Sequence, residues 1–260
     1  MHQLPIDQQV LLILQLGVLL ALCVRIWVSG LHKIYVNFFR YLILEVLQAL
    51  IPLLVPVESR LYRDLFVTSE VFIVTFEALV VLELYSVILR DLAGIAKIAR
   101  RYIKITLAFA ILVSLLPLSF EKTPNTLTGY LFIFERPILS SLVVFVLLIC
   151  GFLAYYPVPL GRNVIVYLAG YAVFFLTIAT MQFINNMGYF WNRQKSSVDM
   201  GITVACQVLW LLALSRQGEE KRVVVGHQWN PGDDQRLLHQ LEAINASLLR
   251  SGGKNRTKAG

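Results

Sequence analysis

Apolar residues in this chain come in long blocks separated by short polar ones. Seven such blocks stand out: 8–28, 36–54, 65–89, 103–120, 137–156, 164–187 and 198–214. Backbone amides buried in hydrocarbon find no water, so apolar runs of membrane-crossing length fold as helices or as strands of a closed barrel. Barrel strands are about 10 residues long and alternate in polarity, whereas helices need about 20 continuous apolar residues. The blocks here are of the second kind. The pattern predicts an all-α polytopic membrane protein, a seven-transmembrane-helix bundle over 1–214 with a short cytoplasmic tail over 215–260.

Local signals set the expected ends of these runs. Pro52 and Pro56 close the second run, and Arg60, Arg63 and Asp64 fall in a short loop before the third. Pro117 lies inside the fourth run. Pro137 suits a first helical position, where its missing N–H costs no bond, and marks the start of the fifth run. The segment YYPVPLGR, from Tyr155 to Arg162, ends that run with interfacial aromatics and two prolines. Ser196 or Ser197 would cap the seventh.

After Ser215 the chain turns polar. Asp233 and Asp234 are good helix starters, and Leu237, Leu241, Ile244 and Leu248 recur at spacings of a helical stripe. This predicts one amphipathic helix over about 233–250. Its apolar face could rest on the bundle, on the membrane, on a cytoplasmic protein partner or on a second copy of itself; the heptad pattern is too short to decide for a coiled coil.

Composition agrees with the block pattern: 57% of residues are apolar and 15% charged, with mean hydropathy +0.68. The net charge of +7 and a pI near 9.4 do not indicate nucleic acid, because the basic residues flank apolar runs and show no recognition motif. They predict orientation and contact with anionic lipid headgroups. Arg90, Lys97, Arg100, Arg101 and Lys104 form the densest basic patch between runs, alternating with apolar residues as in a helix lying on a membrane surface. That patch and the basic tail place the C-terminus inside and the N-terminus outside. No Lys or Arg precedes Arg25, so the first run lacks the basic start of a signal peptide and is expected to remain as a helix.

The chemistry-bearing residues are few. Cys23, Cys150 and Cys206 lie in three different runs and read as packing residues. Histidine occurs only outside the runs, which gives no basis for a metal or haem site, and no cofactor is expected. No HExxH, P-loop, GxSxG or paired CxxC occurs, so no catalytic residue is assigned. The seventh run has no lysine for a retinal Schiff base.

Carboxylates inside the runs matter more, because charge at mid-bilayer costs roughly 2.5–3.5 kcal/mol on the gentlest scale. Glu45 and Glu77 fall at the middle of their runs, with Gln48 nearby and Gln207 close to the middle of the seventh. Together they make a candidate midplane polar site. Glu70 lies two helical turns from Glu77 on the same face, nearer the outside. With Gln182, Asn185 and Asn186 it makes a candidate outer vestibule. Glu83 points roughly 120° away from Glu77 and is expected to reach Arg90, Arg25 or Arg40. The bland reading of all these groups is hydrogen bonding between neighbouring helices, worth about 0.6 kcal/mol each.

Two stretches, VVLELYSVILRDLAGIAKIARR and YYPVPLGRNVIVY, resemble segments of uncharacterised bacterial seven-helix integral membrane proteins. The resemblance implies a bacterial inner-membrane location and carries no site residue. Three function classes follow. A receptor-like bundle would relay a signal through the tail to a cytoplasmic partner. A proton- or cation-coupled transporter would use the midplane carboxylates. A lipid-modifying enzyme comes last for want of a nucleophile, a metal set or an acid–base pair.

Overall fold

The structure, a computed structural model, describes residues 6–89, 127–155, 158–186, 192–220, 222–225, 239–244 and 246. Helix dominates them. Six long helices occur among the described residues: α1 (Ile6–Val28), α2 (Val36–Leu54), α3 (Arg60–Ile88), α4 (Leu127–Tyr155), α5 (Arg162–Asn186) and α6 (Asn192–Ala213). A one-turn α7 (Arg216–Glu220) follows. The expected fourth run and the basic patch from Arg90 to Lys104 lie outside the described residues.

The helices close a ring. α1 packs on α2, α2 on α3, α3 on α4, α4 on α5, α5 on α6, and α6 returns to α1. The inward faces supply one continuous apolar core, with Leu19, Leu22, Phe38, Leu42, Leu84, Leu142, Tyr171 and Phe175 almost fully buried. The outward faces are apolar as well: Leu54 is 77% exposed and Leu212 70%. A water-facing exterior does not carry apolar surface on this scale, whereas a lipid-facing one requires it. Three helices, Gln8–Val28, Val36–Leu54 and Arg60–Ile88, are long and apolar enough to cross a membrane.

Several helix ends differ from the sequence expectation, each for a local reason. α3 starts at Arg60, because Ser59 is extended and its hydroxyl accepts the Tyr62 N–H at 3.0 Å. Arg60, Arg63 and Asp64 therefore belong to its first turns and not to a loop. α2, by contrast, ends at Leu54 as expected, with Pro52 inside its last turn and the Val55 N–H still reaching the Ile51 carbonyl. Pro137 lies inside α4 and not at its start, since the apolar sequence before it already winds as helix from Leu127. Loss of one backbone bond at an interior proline is tolerated in such helices. Likewise Ser196 and Ser197 sit within α6, which begins at Asn192.

Two short strands were not expected. β1 (Val158–Gly161) pairs antiparallel with β2 (Arg222–Val225), with Val158 opposite Val225 and Gly161 opposite Arg222. They tie the α4–α5 connection to the segment beyond α7. In the tail, residues 239–244 are helical. Leu241 is buried in the main core, while Ile244 is 45% exposed; Leu237 and Leu248 lie outside the described residues. At Leu241 the stripe thus rests on the protein itself.

Candidate functional site

The first polar group lies between α2 and α3. One turn of α2 separates Tyr41 from Glu45, and the Tyr41 hydroxyl donates to Glu45 Oε1 at 2.6 Å. One turn further along, the Gln48 amide donates to Glu70 Oε2 on α3 at 2.5 Å. Glu77, two turns along α3 from Glu70, is buried at 4% exposure. Glu45 and Glu70 are electrostatic neighbours, and Tyr41 and Tyr171 each sense both Glu45 and Glu77. Three carboxyls from two helices therefore share one interior region. A buried carboxyl that is hydrogen-bonded by a phenol is a group that can hold, give up or receive a proton without leaving its place.

Next to it stands an aromatic cluster built on α5. Tyr167 and Tyr171 are one turn apart, with ring centroids 5.1 Å apart and planes at 90°. Phe38 meets Tyr167 edge-on at 4.5 Å, and Trp210 lies 4.8 Å from Tyr171. Trp210 can approach because position 170 has no side chain: a Cβ on Gly170 would overlap the indole Nε1. The Tyr167 and Tyr171 hydroxyls, the Trp210 indole N–H and Gln207 Oε1 are buried with no hydrogen-bond partner among the described residues. Such groups are costly, about 1–3 kcal/mol each when unmet.

A third group closes one end of the ring. Asn163, fully buried at the start of α5, accepts the Ser215 N–H at 3.2 Å. Its amide donates to the Ser215 carbonyl at 2.7 Å and to Glu219 Oε2 at 3.2 Å. The Tyr35 hydroxyl, at the start of α2, donates to the same Glu219 oxygen at 2.9 Å. Gly218 is a glycine because a Cβ there would strike Asn163 Oδ1. From the end of α1, Arg25 Nε donates to the Leu214 carbonyl at 3.0 Å and Nη2 to Leu212 at 3.3 Å. A guanidinium over the last carbonyls of α6 also complements the negative end of its dipole. This clasp joins α1, α2, α5, α6 and α7.

The structure brings Gln48 and Glu70 together; the side chains of Gln182, Asn185 and Asn186, expected with Glu70 in an outer vestibule, lie outside the described residues. Of the three arginines expected to be reached by Glu83, Arg90 lies outside the described residues and Arg25 turns to the end of α6. Glu83 accepts backbone N–H groups of α2, with Arg40 as a nearby charge. Gln207 is buried at 2% exposure on the α6 side, beside Trp210 in the helix. Sequence reasoning passed over Tyr35, Asn163, Ser215 and Glu219. The available signals were an asparagine at a helix start and a glycine-acid pair directly after an apolar run. Among the described residues no cluster of His, Cys, Asp and Glu suits a metal ion. No protein-family model, curated protein or solved structure matches this chain.

Proposed function

We propose that this protein spans a membrane seven times, with its N-terminus outside and its C-terminus in the cytoplasm, and conducts protons through its interior. The observation that carries the reading is the Tyr41–Glu45 hydrogen bond with Glu77 and Glu70 beside it. Ionisable groups inside membrane segments are expensive, and their commonest use is a proton or ion path.

Helix directions support the seven spans. The ends of α1, α3 and α6 and the starts of α2 and α5 meet at the clasp, as the Arg25–Leu214, Glu83–Asn37, Tyr35–Glu219 and Asn163–Ser215 bonds require. The β1–β2 pair brings the end of α4 to that same end. α3 and α4 therefore run in the same direction, and seven spans need one more crossing between Leu89 and Leu127. The apolar run Ile103–Phe120 lies in that interval. The expected surplus of basic residues puts the clasp on the cytoplasmic side.

The test is proton flux. Purified protein in liposomes with a trapped pH indicator should collapse an imposed proton gradient when a potassium ionophore carries counter-charge. Glu77→Gln should slow this collapse. Flux no faster than in empty liposomes would end the reading.

A receptor-like relay through a cytoplasmic partner is favoured by a different observation. Ser215 and Glu219 are bonded directly to α2 and α5, so a shift among these helices would reach the tail. A partner captured by the full chain and lost in Asn163→Leu would support that reading.

A further inference from the structure

We propose that Tyr171, Tyr167 and Tyr35, bridged by water held at the two unmet hydroxyls, form the leg of the proton path that links Glu77 to Glu219. The inference rests on the proton-conduction reading and extends it to residues outside the carboxyl group that suggested it.

The geometry is a line. Tyr171 lies within electrostatic reach of Glu77 and Glu45 and stands one turn from Tyr167, its ring 5.1 Å away. Tyr167 in turn lies 5.2 Å, ring to ring, from Tyr35, whose hydroxyl is already bonded to Glu219 at 2.9 Å. The line leaves the middle of α3, follows α5 for one turn and finishes on a carboxylate beyond the last long helix. Glu219 is fixed there by Asn163 as a positioning residue, through its amide at 3.2 Å.

The gap in the line identifies what fills it. Tyr167 is 1% and Tyr171 0% exposed, and neither hydroxyl has a partner among the described residues. Trp210 Nε1, a donor, and Gln207 Oε1, an acceptor, are in the same condition on the facing helix. Two hydroxyls, one donor and one acceptor match the needs of water, which typically makes about three bonds to buried polar groups of this kind.

The transfer is balanced without any oxidant or reductant. The Glu77 carboxyl gives its proton to the adjoining hydroxyl or water oxygen, which releases its own proton to the next oxygen in line. The last release, from the Tyr35 hydroxyl, protonates Glu219. One O–H bond forms as one breaks at each site, and every tyrosine ends neutral. Glu219 then releases its proton, Glu77 takes a new one from the side of Glu45 and Glu70, and the hydroxyls rotate back to their starting orientation before the next transfer.

The experiment uses the full-length protein in the same liposomes, comparing wild type with Tyr167→Phe, Tyr171→Phe, Glu77→Gln and Tyr85→Phe. Phenylalanine keeps the ring packing and removes only the hydroxyl, and unchanged thermal unfolding in detergent would show that each variant is folded. Tyr167→Phe and Tyr171→Phe should each slow flux by about a hundredfold or more, the lower end of the range for loss of a positioned proton-transfer group. Tyr85→Phe, a half-buried tyrosine away from the line, should conduct as wild type. If Glu77→Gln blocks flux while both tyrosine variants conduct normally, the tyrosine leg is wrong and the proton-conduction reading stands. If wild type itself does not conduct, both fall.

Discussion

The carboxylate of Glu83, near the end of α3, accepts the backbone N–H of Asn37 with both oxygens, at 3.0 and 3.1 Å. It takes the Phe38 N–H as well, at 3.1 Å. Tyr35, the residue at the cap position of α2, gives no side-chain hydrogen bond to this helix start. The cap is supplied by another helix instead, and a negative charge there also answers the positive end of the α2 dipole. This contact locks α2 to α3 at the end where the clasp forms.

Glu83→Ala should therefore destabilise the fold by about 0.5–2 kcal/mol, the usual range for a lost helix cap. Glu83→Gln keeps one acceptor and should lose less. Reversible unfolding in detergent mixtures measures both. Equal stability of all three proteins would mean that the α2 terminus does not need Glu83.

Much of this architecture was legible in the chain. Continuous apolar blocks demand helices, and three of the expected runs appear as helices long and apolar enough to cross a membrane. The middle positions of Glu45 and Glu77 could be read by counting. The partners could not, because pairing Gln48 with Glu70 depends on which helices are neighbours and how they are staggered. Glu83 pointed to an arginine on charge alone, and Arg40 is near it, but its hydrogen bonds go to backbone donors that no residue type announces. β1 and β2 escaped notice because each is four residues long and their partners lie far apart in sequence.

The clasp predicts a local effect of Asn163→Leu. The substitution strands the Ser215 N–H, leaves the Ser215 carbonyl with only the Gly218 N–H and frees Glu219 from one of its two donors. The expected cost is about 1–3 kcal/mol for stranding buried polar groups. Amide exchange should rise first at residues 215–225, and exchange unchanged there would show that Asn163 does not hold this segment.

Gly170→Ala should be poorly tolerated, since its methyl would occupy the place of the Trp210 indole nitrogen. Overpacking of this kind costs about 1–3 kcal/mol. Pairing it with Trp210→Phe removes the nitrogen-bearing ring and should recover part of the loss in the same unfolding measurement. An alanine variant as stable as wild type would contradict this close approach.

Orientation is tested by labelling single cysteines in a background with Cys23, Cys150 and Cys206 replaced. Gln3→Cys and Thr123→Cys should react with an impermeant thiol reagent added outside intact cells, and Gly94→Cys should not. The reverse pattern would place the clasp outside.

The most direct measurement of the central claim is charge movement after a pH jump, recorded from the purified protein on a solid-supported membrane. Wild type should give a sustained proton current whose sign follows the gradient. Glu45→Gln and Glu77→Gln should reduce it, while Tyr85→Phe should leave it intact. No current in wild type, or a current untouched by both glutamine variants, would contradict a proton path through these carboxyls.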